Sequence, residues 1–130
     1  MVTIPLELEL VPARQAPGPA SAGAQTMARF FRGLGDPTRI RILELLLEGE
    51  RSVSELVGVL GSPQGRVSSH LSCLRWCGFV EAARRGRNVY YTIADPRVRQ
   101  ILELGEATIS EAAERILSCQ VLDSELEAAE

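Results

Sequence analysis

The sequence predicts a mainly α-helical domain with one β-hairpin, an α+β fold, from three observations. Between residues 27 and 77, apolar residues recur at the three- and four-residue spacing of amphipathic helices. After Gly78 the apolar residues alternate with polar ones, which is typical of strands. From Pro96 to about Ser118 the helical spacing returns. A chain of 130 residues is long enough for one such domain with a single modest core.

Small polar residues, proline and glycine set the bounds of the first three predicted helices. The first helix begins its apolar pattern at Met27. Asp36 is the expected N-cap of the second helix, with Pro37 at its first position. Ser52 or Ser54 opens a short third helix. The glycines expected to end these helices are Gly35, Gly49 and Gly61.

The fourth helix and the hairpin follow directly. Ser62 is expected to cap a helix that starts at Pro63 and runs to Cys77, where Gly78 stops it in a left-handed conformation. Residues 79–95 read FVEAARRGRNVYYTIAD, two alternating segments around a turn, which predicts a β-hairpin. The turn is centred on Arg85, Gly86, Arg87 and Asn88.

We expect three segments: an N-terminal arm and linker over 1–25, a folded domain over 26–118, and an acidic tail over 119–130 that carries one cysteine. In the arm, TIPLELELV alternates like a half-buried strand, and a Pro/Ala/Gly-rich linker follows. There is neither an 18-residue apolar run nor a basic, signal-like start, so we expect a cytoplasmic protein without a membrane partner. Three cysteines without an export signal favour reduced thiols over a disulfide framework.

The charge is divided unevenly along the chain, although the net charge is only -3. Residues 62–94 contain five arginines and one glutamate, whereas residues 95–130 contain three arginines and nine acidic residues. A local excess of one sign matters more for polyanion binding than the overall sum. The basic third of the chain is therefore the candidate for contact with nucleic acid.

A short helix, a tight Gly-Ser turn, a second helix and an arginine-bearing hairpin give the order of a winged helix-turn-helix. A B-DNA major groove admits one α-helix, and a hairpin beside it can reach phosphates. On the fourth helix Val67, Leu71 and Leu74 share one face and should be buried, while small hydroxyl residues lie opposite. The residues expected to contact double-stranded DNA are Gln64, Gly65, Arg66, Ser68, Ser69, Ser72, Arg75, Arg84, Arg85, Arg87 and Asn88.

Each of these features also has an ordinary structural explanation that involves no binding function. A serine-rich helix face is usually just solvated, as is a charged hairpin tip, but their adjacency favours DNA contact. His70 is the single histidine, and we interpret it as a hydrogen-bonded structural residue rather than a metal ligand.

The segments LGDPTRIRIL, SVSELVGVLG, VSSHLSCLR and GFVEAARRGRNVYYTI, with the closing helix, resemble the ArsR/SmtB family of winged-helix metal-sensing repressors. The resemblance covers residues 27–118. It implies a homodimer that binds a partly palindromic operator without metal and is released when metal binds. It also implies a dimer interface between the first and last helices, against the alternative of a purely intramolecular core. That interface would consist of Phe30, Phe31, Leu34, Ile101, Ile109 and Ile116.

Metal sites differ among members of the family, and two of the recurrent ones are absent here. The helix before the turn reads SELVGVLG and has no cysteine. The start of the last helix, ADPRVRQ, offers Asp95 but has Arg97 where the family pattern has a histidine, and no histidine follows. A third arrangement, that of the CmtR-type cadmium and lead sensors, matches residue by residue. The resemblance thereby assigns Cys73, Cys77 and Cys119 as ligands.

The cysteine spacing supports a shared ion, because residues four apart on a helix lie on one face. Soft sulfur ligands favour thiophilic ions such as Cd(II), Pb(II), Hg(II) or As(III). The resemblance to the CmtR-type sensors ranks Cd(II) and Pb(II) first, with Hg(II) or As(III) as alternatives. A lone cysteine is more often a small buried hydrophobe. The other hypotheses are a thiol-redox switch on the same fold and a small thiol oxidoreductase. We disfavour the enzyme because Cys73 and Cys77 lie at the C-terminal end of a helix, whose dipole disfavours a thiolate.

Overall fold

The computed structural model describes residues 22–129 as helices, strands and short connections. These form two compact units, the first ending at Ala94 and the second beginning at Asp95. In chain order the elements are α1 Ala22–Leu34, α2 Pro37–Glu48, β1 Arg51–Ser52, α3 Val53–Leu60, α4 Gln64–Trp76, β2 Val80–Arg85, β3 Asn88–Ile93, α5 Arg97–Leu117 and α6 Gln120–Ala129.

The core of the first unit lies between α2, α3, α4 and the sheet, which pack on one another. Burial of a large aliphatic side chain stabilises a fold by about 1.5–3 kcal/mol, so a few such residues dominate a domain of this size. The fully buried side chains are those of Ile42, Leu43, Leu56, Val67, Leu71 and Leu74. The buried face predicted for the fourth helix is thereby confirmed.

Side-chain caps fix the starts of α2 and α3. Asp36 accepts a hydrogen bond from the backbone N–H of Arg39 at 3.0 Å, with Pro37 in the first turn, as predicted. Ser52 and Glu55 form a reciprocal capping box at α3, which settles the choice between Ser52 and Ser54. The first helix begins at Ala22, five residues before the apolar pattern that predicted it.

The predicted start of the fourth helix was wrong by one residue. Pro63 occupies the N-cap position of α4, and its carbonyl accepts from the backbone N–H groups of Arg66 and Val67, both at 3.1 Å. Its ψ of 145° is extended, so Pro63 precedes the helix instead of starting it. Ser62 consequently lies too far from the first turn to serve as its cap.

Three antiparallel strands in the order β1-β3-β2 form the sheet. The strands of the predicted hairpin are confirmed, but its turn is shorter than predicted because Arg85 and Asn88 still pair in the ladder. Only Gly86 and Arg87 connect the strands, and Gly86 has a φ of 64°, a conformation that favours glycine. The two-residue strand β1, which pairs with Tyr90 and Tyr91 in β3, was not predicted.

The second unit consists of α5 and α6. Ala112 departs from helical geometry, with φ −130° and ψ 16°, and marks a kink within α5. The segment after α5 is helical over Gln120–Ala129, where the sequence indicated only an acidic tail. Across both units of the described chain, the α+β class and the order of the predicted elements are confirmed. The strand expected over residues 3–11 lies outside the described residues.

Candidate nucleic-acid interface and thiol pair

The helix α4 presents its polar residues on the side opposite the core. Val67, Leu71 and Leu74 are fully buried, while Ser69 and Ser72 are exposed and Ser68 is half-buried. The remaining residues predicted to contact DNA from this helix are exposed, and these are Gln64, Gly65, Arg66 and Arg75. Such a face can approach a groove closely because small side chains leave room for the backbone.

The hairpin, or wing, separates its three arginines into two kinds. Arg84 and Arg87 are exposed, and neither pairs with an acidic side chain in the described part of the chain. Arg85 forms an ion pair with Glu50, and its guanidinium carbon lies 4.1 Å from the centre of the Tyr90 ring. The hydrogen bond from Arg85 to Glu50 raises the pKa of the guanidinium. Arg85 thus ties the wing to the segment before β1, whereas the other two are available for phosphates.

Cys73 and Cys77 lie one helical turn apart at the end of α4, where the backbone N–H of Cys77 donates to the Cys73 carbonyl at 3.0 Å, so their side chains share one side of the helix. A Schellman motif positions this end, because Phe79 N–H donates to Leu74 C=O at 2.9 Å and Gly78 N–H to Arg75 C=O at 3.1 Å. Gly78 has a φ of 84° there, as predicted. Two adjacent thiols on one helix form a bidentate donor set suited to a soft ion.

The sulfur of Cys77 turns towards α1, although the residue as a whole is exposed. A methyl group added at Gly33 would lie 3.7 Å from this sulfur, in ordinary contact. Burial of the thiol raises the pKa of Cys77, the charge of Cys73 and a hydrogen bond with it raise it further, and the positive charges of Arg39 and Arg29 oppose the rise. Of these causes, only the two arginines favour the thiolate of Cys77, the form that binds a metal ion.

His70 is engaged by neighbouring side chains, as predicted from the sequence. Its Nδ1 lies 3.3 Å from Nη1 of Arg39, and its Nε2 lies 3.8 Å from Oδ1 of Asp36. The contact with Arg39, which is 31 residues away along the chain, has no signal in the sequence pattern.

Cys119 belongs to the second unit, at the junction between α5 and α6, and is half-buried. All three cysteines are free thiols. Among the described residues, no group of three or more His, Cys, Asp and Glu side chains is arranged to hold a metal ion. Cys73 and Cys77 thus lie in the first unit and Cys119 in the second, and the metal-binding role of all three stays a prediction.

The residues predicted for a dimer interface differ in their exposure. Phe30 packs edge-on against Phe31 at 5.1 Å and Phe79 at 5.2 Å between ring centres, and Phe31 is 54% exposed. Leu34 is buried within its own unit, which leaves little of its surface for a partner. In the second unit Ile101 is half-buried, and Ile109 and Ile116 are exposed.

The chain is similar in sequence to known bacterial regulatory proteins. Residues 36–82 match the family model described as bacterial regulatory protein, arsR family. A probable mercury resistance operon repressor of Streptomyces lividans is 43% identical over 100 residues, 77% of this chain and 80% of that protein. The transcriptional regulator CmtR of Mycobacterium tuberculosis is 47% identical over 76 residues, 58% of this chain and 64% of that protein.

A solved structure shows the same fold. The homodimeric winged helix-turn-helix DNA-binding domain Mb0332 of Mycobacterium bovis, a possible ArsR-family regulator, matches with a TM-score of 0.63 and 33% identity. The match covers 71% of this chain and 85% of that one. The predicted winged helix-turn-helix is therefore confirmed. The family and the named relatives are transcriptional regulators, which confirms that the chain is not an enzyme. No helix in the described segment is long and apolar enough to cross a membrane.

Proposed function

Because this chain belongs to the ArsR family of bacterial regulatory proteins, we propose that it is a metal-responsive repressor whose ion binds at Cys73 and Cys77. The observation that carries the proposal is the position of these two thiols, one helical turn apart on the helix whose opposite face is predicted to bind DNA. A homodimer without metal binds operator DNA in the cytoplasm, and the ion-bound dimer binds it more weakly.

The DNA-binding part of the proposal rests on charge and exposure. The exposed serines of α4 meet base edges or phosphates, and Arg66, Arg84 and Arg87 neutralise phosphates. Two protomers place two such helices on one duplex, so the operator is a partly palindromic site. The exposed apolar side chains of Phe31, Ile109 and Ile116 supply surface for the dimer.

The metal part rests on the donor set. Two thiols one helical turn apart are soft donors and favour a thiophilic ion over Zn(II), Ni(II) or Co(II). The positive charges of Arg39 and Arg29 favour the thiolate of Cys77. With Cys119 as a third ligand, the site suits Cd(II) or Pb(II), or As(III). The relative of Streptomyces lividans, named for mercury resistance, favours Hg(II) as a second candidate, since few thiolates suffice for that ion.

The metal can weaken DNA binding only by binding more tightly to the state with lower DNA affinity. Couplings of this kind are typically worth about 1–3 kcal/mol. The thiols lie away from the exposed serine face, so the ion changes the placement of α4 without blocking the groove contact.

The test uses purified reduced full-length protein and a duplex selected from a random library by the metal-free dimer. Cd(II), Pb(II), Hg(II), As(III) and Zn(II) are compared for release of this duplex, with the sulfur-to-metal absorption band as a second readout. We expect the thiophilic ions to release DNA, and Cys73→Ser and Cys77→Ser to abolish both signals. Release of DNA from both variants at wild-type metal concentrations would exclude the thiol pair as the sensor.

Cys119→Ser separates the candidate ions. A Cd(II) or Pb(II) sensor should lose its absorption band and its response in this variant, whereas an Hg(II) sensor with two thiolates should keep both. Release by peroxide in chelator-treated protein, without release by metals, would instead identify the thiol-redox switch. The raised pKa of Cys77 does not separate the two alternatives, because the thiolate is both the metal ligand and the form that reacts with oxidants.

A further inference from the structure

Arg39 of α2 connects two other helices of the first unit through its guanidinium. Its Nε donates to the carbonyl of Gly33 at 2.7 Å, and its Nη2 donates to the carbonyl of Arg32 at 2.9 Å. Carbonyls in the last turn of a helix lack the usual intrahelical donors, so Arg39 caps the C-terminus of α1. Its remaining terminal nitrogen, Nη1, lies 3.3 Å from Nδ1 of His70 on α4.

The contact with Arg39 fixes the orientation of His70. A guanidinium can only donate hydrogen bonds, so the Nδ1 that faces it accepts and the ring proton resides on Nε2. Nε2 points to Oδ1 of Asp36 at 3.8 Å, and the same oxygen accepts from the backbone N–H of Arg39 at 3.0 Å. Asp36, Arg39 and His70 thus form a closed set of polar contacts that sets the rotation of α4 relative to α2.

Gly33 places the thiol pair next to this set. Its carbonyl accepts from Arg39, and its α-carbon side faces the sulfur of Cys77, which would lie 3.7 Å from a methyl group there. Gly33 is buried, and the ring of Phe79 closes the other side at 3.5 Å from the same methyl position. A movement of the Cys77 sulfur relative to α1 therefore changes its packing against Gly33, the residue whose carbonyl accepts from Arg39.

An ion bound by two thiols of one helix has no effect on DNA affinity by itself. A ligand shifts an equilibrium only through differential interaction with its two states, and a rigid helix is the same in both. The difference must arise where the thiols touch the rest of the fold, and α1 at Gly33 is such a contact.

We propose that Arg39 is the positioning residue that couples ion binding at Cys73 and Cys77 to the placement of α4. This inference rests on the proposed function. Ion binding shifts the Cys77 sulfur against Gly33, the last turn of α1 moves with the guanidinium, and His70 loses the contact that holds α4 in its DNA-binding orientation.

The test compares Arg39→Lys with wild type in the full-length protein. Lysine keeps the positive charge near the thiols but cannot donate to three separated acceptors from a planar group. The quantity measured is the ratio of DNA dissociation constants with and without saturating Cd(II), and in a separate series Hg(II). Wild type is expected to show a ratio of about 5–150. In Arg39→Lys we expect a ratio near 1, with the absorption band and metal stoichiometry unchanged.

Arg41→Lys is the matched control. Arg41 lies two residues after Arg39 in α2. It is exposed, and its guanidinium lies 4.0 Å from the carboxylate of Glu44. This variant should keep the wild-type ratio. A comparable loss in Arg41→Lys would assign the effect to the general charge of α2 and overturn the role of Arg39.

A second pair of variants keeps the test decisive if Arg39→Lys unfolds at lower temperature. His70→Asn retains an acceptor close to the position of Nδ1, whereas His70→Leu removes it. We expect His70→Asn to retain most of the ratio and His70→Leu to lose it, with the metal band intact in both. A merely structural role would lower the melting temperature of both without separating their ratios.

Besides a comparable loss in Arg41→Lys, three results would overturn the inference. They are a wild-type ratio in both Arg39→Lys and His70→Leu, loss of the metal band in Arg39→Lys, and equal ratios for the two His70 variants. Failure of the proposed function looks different, because wild-type protein itself would then show no metal band or no release of DNA.

Discussion

Two faces of α4 carry polar side chains. On one face these side chains contact other residues of the protein, and on the other face they do not. On the exposed face, the side chains of Arg66, Ser69 and Ser72 make no hydrogen bond or ion pair with other described residues. On the other face, His70 contacts Arg39 and Asp36, and the Cys77 thiol lies one helical turn from Cys73 and approaches α1. One face is available to an external polyanion, and the other is connected to the rest of the fold.

The difference assigns separate roles to residues that are adjacent in sequence. Ser69 and His70 are neighbours, yet one side chain is exposed and the other is held by two side chains of the segment 36–39. A helix with one free face and one connected face can bind DNA while responding to a change at its connected side.

Cys77→Ser should have the largest effect, because it removes half of the thiol pair. We expect the sulfur-to-metal absorption band to disappear and soft-ion affinity to fall by more than the roughly 10- to 100-fold caused by loss of an outer partner. Titration with Cd(II) and Hg(II), followed by absorbance, measures this. Ser72→Ala, on the exposed face of the same helix, should keep wild-type metal binding, and a similar loss in both variants would contradict the separation of the faces.

Substitution of the wing arginines tests which of them contact DNA phosphates. Arg84→Ala and Arg87→Ala should each weaken DNA binding and reduce the slope of log affinity against log salt by about 1, since each removes one phosphate contact. Arg85→Ala should change this slope less, because Glu50 already pairs with Arg85. Fluorescence anisotropy with a labelled duplex at several salt concentrations measures the slopes. Equal slopes for all three variants would mean that the ion pair with Glu50 opens on DNA.

The periodicity of the sequence predicted the faces of α4 because burial follows the 3.6-residue repeat. Val67, Leu71 and Leu74 are fully buried, and the serines opposite are exposed or half-buried. Glycines at positive φ marked the end of α4 and the hairpin turn, since few other residues adopt that conformation. Local rules of this kind account for most of the fold.

Contacts between distant segments could not be predicted from one sequence. The two-residue strand β1 is too short to show alternation, and it exists because Ser52 and Arg51 pair with β3. The Arg39–His70 contact joins residues 31 positions apart, and no periodicity records it. Arg84 and Arg85 look alike in sequence, and only the position of Glu50 in the fold distinguishes them.

Gly33→Ala tests the contact between the thiol pair and α1. The added methyl would lie 3.5 Å from Phe79 and 3.7 Å from the Cys77 sulfur, in ordinary contact with both. Replacing a glycine within a helix by alanine contributes about 0.5–1 kcal/mol. We therefore expect a higher free energy of unfolding, measured by urea denaturation followed by circular dichroism.

Gly58→Ala is the matched control for Gly33→Ala. Gly58 is an exposed glycine inside α3, and a methyl group there meets nothing within 4 Å. It should gain helix propensity alone, so a stability gain at Gly33 at least as large indicates favourable contact at the thiol side. A loss of stability in Gly33→Ala alone would show that α1 and the thiol pair are packed too tightly for a methyl group.

The smallest effect is expected at the start of α5, on the pKa of the Asp95 carboxylate. Asp95 accepts from the Arg97 side chain at 2.7 Å and from its backbone N–H at 2.9 Å. The Arg97 side chain is the main cause that lowers the pKa of Asp95 to about 2, followed by the backbone hydrogen bond. Like the connected face of α4, this carboxylate is already satisfied by the chain itself.

Arg97→Ala should raise the pKa of Asp95 towards its ordinary value of 3.8 without reaching it, because the backbone hydrogen bond remains. A carboxyl with a lowered pKa stabilises the fold above its unfolded pKa, and this contribution is lost as the pH falls through about 2. The stability difference between wild type and Arg97→Ala should therefore be present at neutral pH and vanish in acid. Carbon-detected NMR titration of Asp95 measures the pKa directly, with Arg115→Ala on the same helix as the control. An unchanged pKa in Arg97→Ala would show that the backbone N–H alone holds the carboxylate, and that the cation beside it contributes nothing.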